Sequence, residues 1–177
     1  MDDLLSSFIA IIAFVVVAFG ITTMTLFNKV DDSMQTSATE SVTRFVDQVR
    51  AQGYITNDDY MNFLESLTAT GNVYSITMYS LESEYYHTDE EGTDGFALGY
   101  TPITQSEIVS AFKKNEGTGR FYLSAGDYLY VEVKQTNTTL GQRLSSLFMG
   151  GQMPGINIKQ CGRVGNTNEQ LILVGGV

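Results

Sequence analysis

The sequence predicts an α+β protein in which a long N-terminal helix, hydrophobic and then amphipathic, packs on a small, mainly antiparallel sheet with short helices. The first observation is an uncharged run from Leu4 to Asn28, followed by apolar residues at three- and four-residue steps. The second is that shorter segments beyond residue 53 show either this helical period or the two-residue period of strands. The sequence contains no internal repeat and no low-complexity linker. These segments therefore predict one head domain carried by one long helix.

The first fifty residues predict a single helix of about 45–50 residues, roughly 70 Å long at 1.5 Å per residue. They contain no proline, and the first strong helix-ending signal is Gly53. The uncharged run exceeds the ~20 apolar residues that cross a bilayer core. We therefore divide the chain into a hydrophobic helix at 1–28, its amphipathic continuation at 29–52 and an α+β head domain at 53–177.

The two halves of this helix require different surroundings. The second half has one apolar face, which is expected to pack on the head through Val30, Met34, Val42, Phe45 and Val49. The first half is apolar all round, and the residues expected to contact lipid or neighbouring helices are Leu4, Leu5, Phe8, Ile12, Val15 and Phe19.

Short helices and strands are predicted in the head domain. The segment Tyr54–Gly71 predicts a helix capped by Thr56 or Asn57, and Val73–Tyr79 alternates as a half-buried strand. The remaining predicted elements are an acidic loop at Glu82–Gly95, a helix at Gln105–Lys114 behind a Thr104/Glu107 capping box, a hairpin of Arg120–Ser124 with Tyr128–Lys134, a helix at Thr139–Phe148, and strands at Ile156–Cys161 and Gln170–Val174.

Charge and composition narrow the classes of partner. Ten basic and twenty acidic residues give a formal net charge of −10, and the clusters of Lys and Arg that bind phosphates do not occur. No nucleic-acid partner is therefore expected. The single cysteine, Cys161, excludes an intramolecular disulfide framework. Abundant Gly, Thr, Asn, Ser and Tyr with little Lys is typical of proteins outside the cytoplasm.

Catalysis and cofactor binding are not expected. The chain has one histidine, His87, and one cysteine, and it lacks CxxC, HExxH and P-loop patterns. A Cys–His pair is formally available, but nucleophilic catalysis also needs a base oriented by a third group. We interpret Cys161 as a small residue of the sheet.

Three other features have ordinary interpretations. The acidic loop Glu82–Gly95 is interpreted as solvated surface; calcium is the alternative, although the spacing does not match an EF-hand. Asn137 begins a glycosylation sequon of a kind that often occurs by chance. Tyr85, Tyr86 and Tyr100 are predicted in loops, where they are candidates for contacts between subunits.

The N-terminus does not match a cleaved secretory signal. Met1 is followed by two aspartates, the apolar run is too long, and no Ala-x-Ala site follows it. A single-pass anchor fits the length but normally carries Lys or Arg on its cytoplasmic flank. One explanation is that a basic leader preceding Met1 has been removed; the alternative is that Met1 is the initiator of an uncleaved anchor.

Asp2, Asp3 and Gly20 each have two interpretations. The aspartates offset the positive end of the helix dipole, and in a bundle of helices they also supply partners for a buried α-amine at Met1 of a neighbouring chain. Gly20 is either a site of close helix packing or a weak point at which the helix unwinds when the subunit leaves the bilayer.

The whole layout, a hydrophobic and then amphipathic helix carrying an α+β head, resembles a type IV pilin or pilin-like subunit. Two runs, GYITNDDYMNFLESLTATGNVYSITM and SAGDYLYVEV, are similar to Tad-type pilus proteins of Gram-positive, clostridia-like bacteria. These runs cover about a fifth of the chain.

The resemblance implies that a prepilin peptidase removes a basic leader and leaves Met1 as the mature N-terminus and a site for methylation. It also implies extraction from the membrane by pilus assembly machinery and helical polymerisation into an extracellular filament. Cell adhesion, motility and DNA uptake are the roles left open for that filament. The sequence departs from the family pattern at Leu5, where type IV pilins usually carry glutamate. Asp2 or Asp3 would have to take over that role. The alternative is a minor pilin or a membrane-anchored binding protein that does not polymerise.

Overall fold

The computed structural model describes residues 2–88, 95–113, 119–150 and 154–165. Within these ranges the fold is α+β, as the sequence predicts. The helices are α1 (Asp2–Gln52), α2 (Asn57–Thr68), α3 (Gln105–Lys113) and α4 (Leu140–Met149). The strands are β1 (Tyr54–Thr56), β2 (Tyr74–Thr88), β3 (Gly95–Thr104), β4 (Arg120–Tyr122), β5 (Tyr128–Gln135) and β6 (Asn157–Arg163).

All described strand pairs are antiparallel. Four strands form one sheet in the order β3-β2-β5-β6, and β1 pairs with β4 in a separate two-stranded sheet. Along β5 the alternate residues Leu129, Val131 and Val133 are buried, so one face of the sheet supplies the core. This alternation matches the sequence prediction for β5.

The second half of α1 is part of that core. Ala38, Val42 and Val49 are fully buried, and the ring of Phe45 stacks on Phe63 of α2 with centroids 4.5 Å apart. Gly162 of β6 permits the close approach of helix and sheet, because a Cβ there would lie 2.6 Å from Val46 Cγ1. The second half of α1 is therefore an integral part of the hydrophobic core of the head domain.

The apolar face of α1 is buried against the head over a shorter stretch than the predicted one, which began at Val30. Val30 is 41 % exposed, and Met34 is half-buried. The sulfur of Met34 lies 3.4 Å from Nδ2 of Asn72. The continuous buried stripe begins at Ala38, the first residue of α1 in the core cluster that includes the buried side chains of β5 and β6. Below that level another element, α4, covers one side of the helix.

Two sequence predictions about the strands are wrong. Residues 82–88 are not a loop but the second half of β2, where antiparallel pairing with β3 satisfies the backbone and leaves the polar side chains outside. The segments at 120–122 and 128–135 do not form a hairpin with each other, since β4 pairs with β1 and β5 lies between β2 and β6.

The buried carboxylate of Asp127 explains the second error. Its Oδ2 accepts a hydrogen bond from the backbone N–H of Ser124 at 2.7 Å, and its Oδ1 accepts one from the N–H of Ser83 at 2.9 Å. Gly126 adopts φ +103° between them, in the left-handed region that suits glycine. The Ala-Gly-Asp segment is therefore a connection between two sheets and is fastened to β2.

The predicted helices agree with the structure to within a few residues. Thr56 rather than Asn57 caps α2, and Thr104 donates from its N–H to Glu107 Oε2 at 2.7 Å ahead of α3. The predicted strand at 170–174 lies outside the described residues.

Candidate functional site

The candidate site is the apolar surface of the first half of α1, which the head leaves uncovered. Its large side chains are between 49 % and 78 % exposed and lie on every side of the helix: Leu4, Leu5, Phe8, Ile9, Ile11, Ile12, Phe14, Val15, Val16, Val17 and Phe19. Burying one such side chain stabilises a protein by roughly 1.5–3 kcal/mol. A continuous apolar surface of this size marks a contact with lipid or protein.

Among the described residues, one helix is long and apolar enough to cross a membrane. It is α1, whose most apolar 18-residue window has a mean hydropathy of 2.8 and no buried residue. This criterion concerns length and composition, and it makes α1 a candidate transmembrane segment.

The upper end of the apolar half is covered on one side by α4, and this is the feature that the sequence did not predict. The ring of Phe148 lies over Gly20, where an added Cβ would come within 3.1 Å of its Cζ. Met24 is only 7 % exposed, and Ser145 Oγ donates a hydrogen bond to Asn28 Oδ1 at 3.4 Å. The head therefore contacts α1 as far toward the N-terminus as Gly20, within the segment 1–28 assigned to the hydrophobic half of the helix.

The start of α4 is fixed on α1 by a polar contact. Thr139 Oγ1 donates a hydrogen bond to Asp31 Oδ2 at 2.7 Å while accepting one from the N–H of Gln142 at 3.1 Å. A side chain at Gly141 would collide with the Asp31 carboxylate. One threonine thus caps α4 and attaches it to the long helix.

The sequence contained part of this information. Leu140, Leu144, Leu147 and Phe148 recur at helical spacing, and Thr139 with Gln142 has the form of a capping box. These signals predict an amphipathic helix. They do not identify the surface against which its apolar side packs, because Asp31 and Gly20 are more than a hundred residues away in the chain.

The predicted assembly residues lie at the far end of α1. Asp2 and Asp3 belong to its first turn, and Met1 lies outside the described residues. Charge pairing between these residues of neighbouring chains stays a prediction. Gly20 lies in uninterrupted helix, and the ring of Phe148 packs closely against it. This agrees with the interpretation of Gly20 as a site of close helix packing. Unwinding at this position stays a prediction.

The formal Cys–His pair is not brought together. Cys161 is paired across the sheet with Tyr130, which is paired with Tyr79, whereas His87 lies eight residues further along β2. At ~3.3 Å per residue, His87 is displaced from this row by about 26 Å along the strand direction. The His87 ring instead makes an edge contact with Phe96 of β3, with centroids 5.7 Å apart.

The polar candidates for metal and sugar have other partners. The described residues contain no group of three His, Cys, Asp or Glu side chains that could hold a metal ion, and positions 89–94 of the predicted acidic loop lie outside those residues. Asn137 accepts a hydrogen bond from the N–H of Val73 at 2.9 Å and donates to Asn72 Oδ1 at 3.2 Å. Its amide thus joins the segment just before β2 to the segment after β5.

The tyrosines predicted in loops lie on strands. Tyr85 and Tyr86 belong to the exposed end of β2, and Tyr100 belongs to β3. On the outer face of the sheet, Tyr79 stacks on Tyr130 with centroids 4.8 Å apart. A hydrogen bond with the Cys161 thiol is the main cause that raises the pKa of Tyr130 above its ordinary value.

Comparison with protein-family models finds no match for this chain, and comparisons with curated proteins and with solved structures likewise find none.

Proposed function

We propose that this protein is a structural subunit of an extracellular type IV-like pilus, which polymerises through its N-terminal helix. The observation that carries the proposal is the exposure of every large apolar side chain from Leu4 to Phe19 on a helix whose second half is built into the head. Such a surface is unstable in water, and two environments can cover it: lipid and copies of the same helix.

In this proposal the two environments act in succession. The precursor resides in the cytoplasmic membrane with the first half of α1 across the bilayer. Prepilin peptidase and pilus assembly machinery then process and extract it. In the filament, the apolar halves of many copies form the core, and the heads form an acidic outer surface. Because α1 is continuous with the core of the head, force on the head is transmitted directly to the filament core.

The alternative is a membrane-anchored minor pilin or binding protein that does not polymerise. A candidate transmembrane helix is equally expected for such a protein. The two proposals differ in where the mature chain accumulates, because a polymer is released from the cell surface by shearing and an anchored monomer is not.

The test is to shear cells that produce the full chain and to measure the chain in the sedimentable extracellular fraction. Replacing Phe8 and Phe19 by Ala keeps the helix apolar enough for membrane insertion but removes volume from the predicted core. We expect normal amounts in the membrane and a large loss from the sheared fraction. Phe96→Ala is the matched control, since Phe96 is 76 % exposed but lies on the head.

Three outcomes contradict the proposal. The first is a wild-type chain that is found in the membrane alone. The second is a double variant that forms filaments as well as the wild type. The third is a Phe96→Ala variant that loses filaments to the same degree, which would place the decisive contact on the head.

A further inference from the structure

We propose that the C-terminal end of α4 enters the outer leaflet of the bilayer beside α1, so that two helices, not one, hold the chain in the membrane before assembly. The proposal rests on the membrane stage of the proposed function but not on polymerisation. Lipid acyl chains then surround Leu147 and Phe148, and lipid phosphates lie near the helix one turn above them.

Helix α4 runs antiparallel to α1. Its N-terminal end contacts Asp31 through Thr139, and its C-terminal end contacts Gly20 through Phe148. The two helices are therefore antiparallel along this stretch, and α4 descends beside α1 from the polar segment into the apolar one.

Gly20 lies below the outer boundary of the hydrocarbon core when α1 spans the bilayer. A bilayer core about 30 Å thick is spanned by ~20 helical residues, so the spanning residues within Leu4–Asn28 begin between Leu4 and Ile9. In every such placement Gly20 lies inside the hydrocarbon, roughly 4–12 Å below its outer boundary. Phe148, which contacts Gly20, lies at the same level.

The side chains of α4 match that depth. Leu147 is 79 % exposed and Phe148 is 58 % exposed, although both lie in the last turn of the helix. Helix α4 contains no acidic residue. An apolar groove of about 410 Å³ separates α4 from α1 and is lined by Val15, Val16, Phe19, Thr23, Leu144 and Phe148. The exposed tip and the apolar surface of α1 thus form one continuous surface.

The charges lie above this surface. Arg143 is exposed one helical turn before Leu147, and Lys29 is exposed just after the uncharged run of α1. Arg143 lies about 7.5 Å above Phe148 along α4, and Lys29 follows the spanning segment, so both lie close to the outer boundary of the hydrocarbon, where basic side chains with long apolar stems are favourable.

Two polar groups near the tip have partners within α4, which lowers the cost of placing them in an apolar environment. Ser146 Oγ donates to Arg143 O at 2.8 Å, and the N–H of Gly150 donates to Ser146 O at 3.2 Å. On α1, Thr22 and Thr25 donate to carbonyl oxygens of their own helix, each at 2.9 Å.

Depth-dependent quenching tests this proposal in the full chain, reconstituted in phosphatidylcholine vesicles. Cys161→Ser removes the native thiol, and a single cysteine at position 147 then carries an environment-sensitive fluorophore. Position 140 is the matched control, because Leu140 is 60 % exposed on the same helix but lies at its upper end. A third label at position 12 reports insertion of α1.

We expect lipids brominated on their acyl chains to quench most of the fluorescence at positions 147 and 12, and to leave position 140 nearly unquenched. Quenching at 12 without quenching at 147 overturns the inference and leaves the proposed function intact. An apolar emission at 147 that bromine does not quench also overturns it, since a second copy of α1 then covers the tip. The absence of quenching at both 12 and 147 overturns the inference together with the membrane stage of the proposed function.

Discussion

Thr139 Oγ1 lies 2.7 Å from Asp31 Oδ2, and this hydrogen bond ties the start of α4 to the middle of α1. Asp31 is the third residue after the uncharged run, so the contact lies just above the apolar half of the helix. It sets the level at which α4 begins and therefore the level at which Phe148 reaches Gly20. The position of α4 beside α1 depends on this pair.

Asp31→Ala is expected to loosen α4 from α1 while leaving the core of the head intact. A hydrogen bond to a charged group contributes about 1.5–3 kcal/mol, and Thr139 keeps its capping bond to Gln142 in the variant. Amide hydrogen exchange of the detergent-solubilised full chain should accelerate in α4 but not in β5. The control is Asp32→Ala, because Asp32 is exposed. Equal protection of α4 in wild type and Asp31→Ala would show that the contact is dispensable.

Gly162→Ala is expected to destabilise the whole head by about 1–3 kcal/mol. The added methyl meets Val46 Cγ1 at 2.6 Å and the stem of Arg50, so α1 and β6 must move apart. Chemical denaturation of the full chain in detergent measures the loss. Gly165→Ala is the matched control, since nothing lies within 4 Å of a Cβ there. A Gly162→Ala variant as stable as this control would contradict the packing of α1 on the sheet.

Acid is expected to weaken the junction between α1 and α2 through Asp59. Partial burial acts to raise the pKa of this carboxyl, but hydrogen bonds from Thr56, Gln52 and Gln48 outweigh burial and lower it below its ordinary value. Because the folded-state pKa is depressed, the ionised form stabilises the fold at pH values above about 4, and this contribution is lost as pH falls through the lowered pKa.

Asp59→Asn should therefore cost about 0.2–1 kcal/mol near neutral pH, the range for solvent-screened charge interactions, and flatten the dependence of stability on pH below about 4. Asp58→Asn is the control, as Asp58 is the exposed neighbour in the same helical turn. Denaturation midpoints over a pH series give the comparison. If the denaturation midpoint of Asp59→Asn falls with decreasing pH as steeply as that of the wild type, other carboxyl groups govern the loss of stability in acid.

Replacing Asp2 and Asp3 together by Asn is expected to impair polymerisation without unfolding the head. If the apolar halves pack together, a free α-amine at Met1 becomes a buried positive charge that requires a carboxylate. Yield of sheared filaments measures the first effect, and the thermal transition of the head measures the second. Normal filament yield would defeat the pairing.

The helical parts of the fold could be predicted from the sequence because their signals are local. The long helix was predicted to end before Gly53 and does so, and α4 was predicted within one residue of its observed bounds. The apolar period of Leu140, Leu144, Leu147 and Phe148 predicted α4, and the Thr104/Glu107 signal predicted the start of α3, where the N–H of Thr104 donates to Glu107 three residues later.

The strand pairings could not be predicted in the same way. Asp127 directs the chain away from a hairpin by binding Ser83, which is 44 residues earlier. The polar half of β2, from Glu82 to Thr88, is a strand because β3 pairs with it and not because of its own composition. The contact of α4 with Gly20 is likewise a property of the assembled fold. Each depends on a partner distant in sequence.

The most direct measurement determines what covers the apolar half of α1 in the mature protein. Single cysteines placed at Phe8 or Val15 in a Cys161→Ser background can be cross-linked by a short thiol-reactive reagent in sheared surface material. If copies of α1 cover this surface, extracellular filaments give a ladder of covalent oligomers of this chain, with no ladder when the cysteine is placed at Phe96. A chain that stays in the membrane fraction and forms no oligomers through position 8 or 15 would contradict it.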